Sequence, residues 1–104
     1  MSGREPSAVI FGCAGAFLDD SERDFFAAVN PLGFILFQRN CETPDQVRRL
    51  VAALRSAVGR ADAPVLIDQE GGRVARLKPP HWPAYPAAAA LAALGGERAR
   101  EAVW

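Results

Sequence analysis

The residues most able to do chemistry are concentrated in one short run, Asp68-Gln69-Glu70-Gly71-Gly72-Arg73, with Arg76 three positions further on. A fixed carboxylate such as Asp68 can accept hydrogen bonds from two neighbouring sugar hydroxyls, and an arginine fork can donate to them. The Gly71-Gly72 pair allows a tight backbone turn and close approach of a ligand. Trp82 and Tyr85, in the proline-rich stretch from Lys78 to Pro86, offer flat apolar faces on which a pyranose ring can rest. The same residue types also build ion-paired structural turns, and residue type alone leaves both readings open. Glu70 and Arg73 read as loop anchors or an ion pair, and Trp82 and Tyr85 read equally as loop-packing residues.

Other chemistries find less support. His81, the single histidine, sits in the proline-rich stretch and reads as a loop residue. Cys13 and Cys41 are too few for a disulfide scaffold, and no His/Cys cluster has the spacing of zinc ligands. Cys13 reads as a small buried thiol. Twelve basic residues balance twelve acidic ones, so no field of either sign favours nucleic acid or anionic lipid. The turn Gly12-Cys13-Ala14-Gly15-Ala16 lacks the G-x-G-x-x-G spacing of a dinucleotide site, which disfavours a nucleotide-binding doubly wound domain.

The elements that must position Asp68 and Arg76 are legible in the apolar pattern. Three runs without polar alternation, Ala8 to Phe11, Gly33 to Phe37 and Val65 to Ile67, read as parallel strands covered on both faces. Between the first two, Asp20 or Ser21 can cap a helix carrying Phe25, Phe26 and Val29. Between the second and third, Thr43 is an N-cap, Pro44 takes the first helical position and Gln46 completes a capping box. Val47, Leu50, Val51, Leu54 and Val58 then form one apolar stripe, and Gly59 stops the helix. Arg48, Arg49 and Arg55 lie off the stripe on a solvated face, and Arg39 and Asn40 read as the turn that opens this helix. Alanine-rich residues 87–94 and the segment from Glu97 to Trp104 read as helical.

Strands joined by helices run parallel with right-handed crossovers, so the class is α/β: a doubly wound sheet or a (β/α) barrel. Asp68 follows the third strand directly and should stand at its carboxyl end, where parallel α/β sheets bind ligands. The 104 residues are expected to form one domain at most. Three strands leave edges uncovered, and a complete barrel takes about 250 residues, so the chain reads as cut. At the start, Glu5, Pro6 and the glycines after Ala8 fit a strand better than an export signal, and no run has the length of a membrane span. A cytoplasmic location is the expectation.

The run Ile67-Asp68-Gln69-Glu70-Gly71-Gly72-Arg73-Val74-Ala75-Arg76-Leu77 resembles the hallmark of glycoside hydrolase family 3, in its β-N-acetylhexosaminidase branch. Gly33-Phe34-Ile35-Leu36-Phe37-Gln38-Arg39-Asn40 resembles that branch's second strand and loop, as does the proline-rich segment through His81, Trp82 and Pro83. The resemblance covers nearly all of the chain. It implies residues 1–104 as the amino-terminal fragment of a (β/α)8 TIM barrel, an incomplete barrel with only the first three βα units. It implies removal of terminal β-linked N-acetylglucosamine, in bacteria during cell-wall recycling, with retention of configuration and no metal or organic cofactor. Asp68 and Arg76 match the family's substrate-holding residues. The family's nucleophilic aspartate and histidine acid/base match no residue here, so no catalytic residue is assigned and the chain alone is expected to be inactive. The implied partner is a small carbohydrate, not nucleic acid or membrane, and the oligomeric state is open. A non-catalytic sugar-binding or self-associating half-barrel module is the alternative of a different class.

Overall fold

The structure is a computed structural model that describes residues 4–103. Trp104 and the first three residues, where the sequence reading placed the end of a helix and the start of the chain, lie outside the described residues. Two compact units divide at the boundary between Ile67 and Asp68.

The first unit is a three-stranded parallel sheet in the order β1-β2-β3, with β1 at Ser7–Phe11, β2 at Pro31–Leu36 and β3 at Val65–Ile67. Phe11 stands beside Phe34, and Phe34 beside Val65, so an apolar row runs across the sheet. The strands begin one or two residues earlier than the apolar runs suggest at β1 and β2, and Phe37 falls outside β2. At Gly33 an added Cβ would collide with the backbone of Pro64, whose carbonyl accepts from the Phe34 N–H at 2.9 Å. The lack of a side chain is what lets the lead-in to β3 come this close.

Helix α1 (Asp20–Val29) is capped by Asp19, one residue before the expected position, whose carboxylate accepts from the Glu22 N–H at 2.7 Å. Asp20 and Ser21 are already inside the helix; the extended backbone of Asp19 is what frees its side chain to fold back on the first turn. The helix ends on Asn30, left-handed at φ 52°, a role open to asparagine as well as glycine. Helix α2 (Pro44–Val58) follows its sequence signals closely. Thr43 and Gln46 make the reciprocal capping box, Pro44 opens the helix, and Gly59 closes it with φ 68°. Between β2 and α2, Gln38–Asn40 form a short 3-10 turn.

Leu50, Leu54 and Val58 from α2 pack with Phe26 of α1 and with Phe34 and Leu36 of β2 to form the core, joined by Cys13 and Ala63. Full burial of each large side chain contributes about 1.5–3 kcal/mol. Phe26 meets Phe34 edge-on with ring centroids 5.0 Å apart. Only one sheet face is covered in this way. Ile10, Leu32 and Leu66 remain 39%, 42% and 45% exposed, against the expectation of strands buried on both sides. The strand period of two sends alternate side chains away from the helices, and nothing among the described residues closes over them fully.

The second unit starts at Asp68 with a tight turn, continues through the proline-rich loop, and ends in α3 (Ala88–Leu94) and α4 (Gly96–Val103), which are separated by Gly95. No residue of α3 is fully buried.

Candidate functional site

Asp68 is the first residue past β3, so chain connectivity alone puts it at the carboxyl end of that strand. Its side chain is 46% exposed, and one of its carboxylate oxygens lies 3.6 Å from a terminal guanidinium nitrogen of Arg76, whose side chain is 24% exposed. The structure therefore brings together the two residues that the sequence singles out. At 3.6 Å the pair is an electrostatic contact, longer than a hydrogen bond, between two partly buried residues. Asp68 keeps lone pairs directed at solvent and available to other donors.

Arg76 owes its position to a residue that the sequence reading passed over. The side-chain oxygen of Gln69 accepts from the backbone N–H of Arg76 at 2.9 Å and of Leu77 at 3.1 Å. Its amide nitrogen donates to the Leu77 carbonyl at 2.9 Å. One amide thus pins residues 76–77 beside Gln69. The available signal was a side chain with both donor and acceptor next to Asp68, but residue type does not tell which backbone segment it reaches.

The intervening turn is held by main chain. Glu70 and Gly71 donate to the Val74 carbonyl at 2.8 and 3.1 Å, and Gly71 and Val74 form a bridge pair. Gly71 and Gly72 have φ 87° and 60°, where side chains are disfavoured. The close approach they allow is made by the chain itself, not left open for a ligand. A Cβ on Gly71 would strike the backbone of Pro86, one on Gly72 would press at 3.0 Å on the Ala87 methyl, and the Gly72 N–H donates to the Tyr85 carbonyl at 2.8 Å. The glycines therefore close the proline-rich loop onto the turn.

Among the described residues Glu70 and Arg73 form no ion pair; both are exposed, and the turn is anchored through backbone groups instead. His81 is exposed and meets Trp82 edge-on at 5.9 Å. Tyr85 is exposed, so it does not pack the loop as a buried anchor, whereas Trp82 is partly buried.

In the first unit, the carboxyl ends of β1 and β2 are tied together by buried amides. Asn40 is fully buried and donates to the carbonyls of Gly15 at 2.7 Å and Cys13 at 3.1 Å, while its oxygen accepts from Phe37 N–H at 2.8 Å. Gln46 donates to the carbonyls of Ala16 and Asn40, both at 2.7 Å. Asn40, read from sequence as part of a simple turn, is the hub of this network. Cys13 is buried as expected, and burial raises its thiol pKa to about 11. A groove lined by Val47, Val51, Ala52 and Arg55 runs along the flank of α2, away from the strand tips.

Comparison with known proteins gives one consistent result. No family model matches. The β-hexosaminidase of Xanthomonas axonopodis pv. citri (strain 306) is 39% identical over 95 residues, which is 89% of this chain and 26% of that protein. The structure of NagZ from Neisseria gonorrhoeae in complex with N-trifluoroacetyl-D-glucosamine superposes with TM-score 0.80 at 26% identity, covering 92% of this chain and 29% of that one. A glycoside hydrolase family 3 β-N-acetylglucosaminidase from Paenibacillus sp. str. FPU-7 gives TM-score 0.74 at 35% identity, over 89% and 18% of the two chains. The chain spans about a quarter of the length of the curated relatives it matches.

Proposed function

We propose that this chain, which is similar in sequence and structure to the amino-terminal portion of the β-N-acetylhexosaminidases of glycoside hydrolase family 3, is the sugar-gripping part of such an enzyme. The substrate is a terminal β-linked N-acetylglucosamine. The observation that carries the reading is the Asp68–Arg76 pair: a half-exposed carboxylate directly past a parallel strand, beside the guanidinium of Arg76, a residue whose backbone N–H is held by Gln69. Asp68 accepts from two ring hydroxyls of the sugar and Arg76 donates to them. These contacts orient the ring and exclude alternative poses, which is how binding groups lower a barrier without touching the bond that breaks.

In this reading the three βα units are the first part of a (β/α)8 barrel, residues 1–104 are a fragment of one barrel domain, and the site faces the carboxyl ends of its strands. Retaining hydrolysis needs a nucleophilic carboxylate and a proton-transfer group. The resemblance assigns both to segments that match nothing in these residues, so the 104 residues hold sugar and do not cleave it. A role in the recycling of cell-wall fragments in the cytoplasm accords with the same resemblance. Exposed Ile10, Leu32 and Leu66 favour a second reading, a self-associating half-barrel that covers this face with another copy; a discrete folded oligomer on size-exclusion chromatography supports that reading.

Two measurements test the proposal. Saturation transfer from the purified chain to N-acetylglucosamine is expected, and is expected to vanish in Asp68→Ala; transfer that survives unchanged contradicts the assigned site. A chromogenic N-acetylglucosaminide is expected to stay intact with the chain alone, and turnover contradicts the division between holding and cleaving.

A further inference from the structure

Arg39 stands in the 3-10 turn directly after β2, and its guanidinium is fixed on three sides. Its Nε–H donates to the Cys13 carbonyl, just past the end of β1, at 3.0 Å. Its guanidinium carbon lies 5.1 Å from the centre of the Phe37 ring. Beneath it is Gly12, where an added Cβ would stand 3.4 Å from Nη2. The group therefore bridges the carboxyl ends of two adjacent parallel strands, the end at which α/β sheets take ligands.

Among the described residues the ion pairs are those of Arg23, Arg48 and Arg76, and Arg39 has none. Its side-chain hydrogen bond is made by Nε, and no acceptor among the described residues takes its two Nη groups. Arg60, by contrast, directs both Nη groups at the chain's own oxygens. A free arginine side chain loses rotamer entropy when ordered, and at Arg39 the contacts to Cys13 and Phe37 have already removed part of that freedom. A planar fork with a fixed direction and no carboxylate partner matches the two oxygens of a carboxylate.

We propose that Arg39 is a second ligand-holding residue of this chain and takes the carboxylate of an acidic sugar through its two Nη groups. That the carboxylate belongs to a saccharide rests on the function proposed above; the carboxylate preference rests on Arg39 itself. Asn40 and Gln46 act here as positioning residues, because they hold the Cys13–Ala16 loop to which Arg39 is anchored.

The test is an amide and arginine Nε–H NMR titration of the full 104-residue chain with D-glucuronate, acetate and N-acetylglucosamine in parallel. Glucuronate is expected to shift the Gly12, Cys13 and Arg39 signals saturably, with acetate weaker by roughly tenfold because it offers the carboxylate alone. Arg39→Lys keeps the charge and loses the fork, and is expected to weaken glucuronate roughly tenfold. Arg39→Gln is a second variant in case the first fails to fold, with the same loss expected. Unchanged glucuronate binding in a folded variant overturns the proposal, as do absent shifts in the parent or acetate binding as tightly as glucuronate. N-acetylglucosamine shifts at Asp68 report on the earlier proposal separately: their absence while glucuronate still binds at Arg39 contradicts the N-acetylglucosaminidase reading and supports the Arg39 site.

Discussion

At the amino end of the three-stranded sheet the polar side chains point back into the chain. Arg60 donates to the Pro31 and Leu32 carbonyls and reaches Asn30 Oδ1, Asn30 donates to the Glu5 carbonyl, and Arg4 and Ser7 donate to the carbonyls of Ala28 and Val29. At the carboxyl end the buried amides of Asn40 and Gln46 do the equivalent bracing, but the two Nη groups of Arg39 have no acceptor among the described residues, and β3 runs directly into Asp68. Both ends are built from the same residue types. The difference lies in the arginine Nη groups: those of Arg60 meet the chain's own oxygens, whereas among the described residues those of Arg39 meet none, which sets an end given over to bracing against the end proposed to take a ligand.

The comparison can be broken from either side. Asn40→Ala should be the most damaging change, because it strips partners from buried carbonyls at Cys13 and Gly15; a loss of about 3 kcal/mol in urea unfolding is expected. A loss below about 1 kcal/mol would mean that water replaces the amide and that the loop is not pinned. Arg60→Ala should cost about 1–2 kcal/mol through lost hydrogen bonds to backbone, while leaving every saccharide titration unaltered. Sugar binding weakened by Arg60→Ala with the fold intact would erase the contrast between the two ends.

Smaller effects sharpen it. Thr43→Ala removes the cap that starts α2 just after the Asn40 turn and should cost about 1 kcal/mol. Cys13 should give a signature confined to alkaline pH. Its folded-state pKa of about 11 lies above the ordinary 9.0, through burial first and the Glu22 charge second. The folded chain then holds a proton that the unfolded chain releases, so stability should fall as pH rises from about 9 towards 11, while below 9 the thiol contributes no slope. Urea midpoints measured across that range, against a Cys13→Ala control, read the difference.

How far the sequence foretold this molecule depends on the kind of interaction. Helix α2 was legible to the residue because its signals are local: a threonine, a proline and a glutamine at fixed spacing, then a stripe and a glycine. The cap of α1 was displaced by one residue because Asp19, Asp20 and Ser21 are all competent caps and only the backbone decides among them. Asp68 was legible by its position after a strand, and Arg76 as its partner only through the family resemblance. The braces were not. Gln69, Asn40 and Gln46 act through side-chain contacts to carbonyls and N–H groups as far as 30 positions away in sequence, and no local pattern encodes that reach. The same limit applied to Gly71 and Gly72, whose conformation was legible but whose neighbour, the returning Tyr85–Ala87 backbone, was not.

The most direct measurement is an N-acetylglucosamine titration of the isotope-labelled chain, read at the Asp68 amide and the Arg76 side chain in the parent and in Asp68→Asn. Saturable shifts at both positions are predicted, with affinity reduced roughly tenfold once the carboxylate charge is gone. Equal affinity in Asp68→Asn, or shifts confined to residues remote from this turn, would contradict the claim that a carboxylate and a guanidinium past β3 grip the sugar.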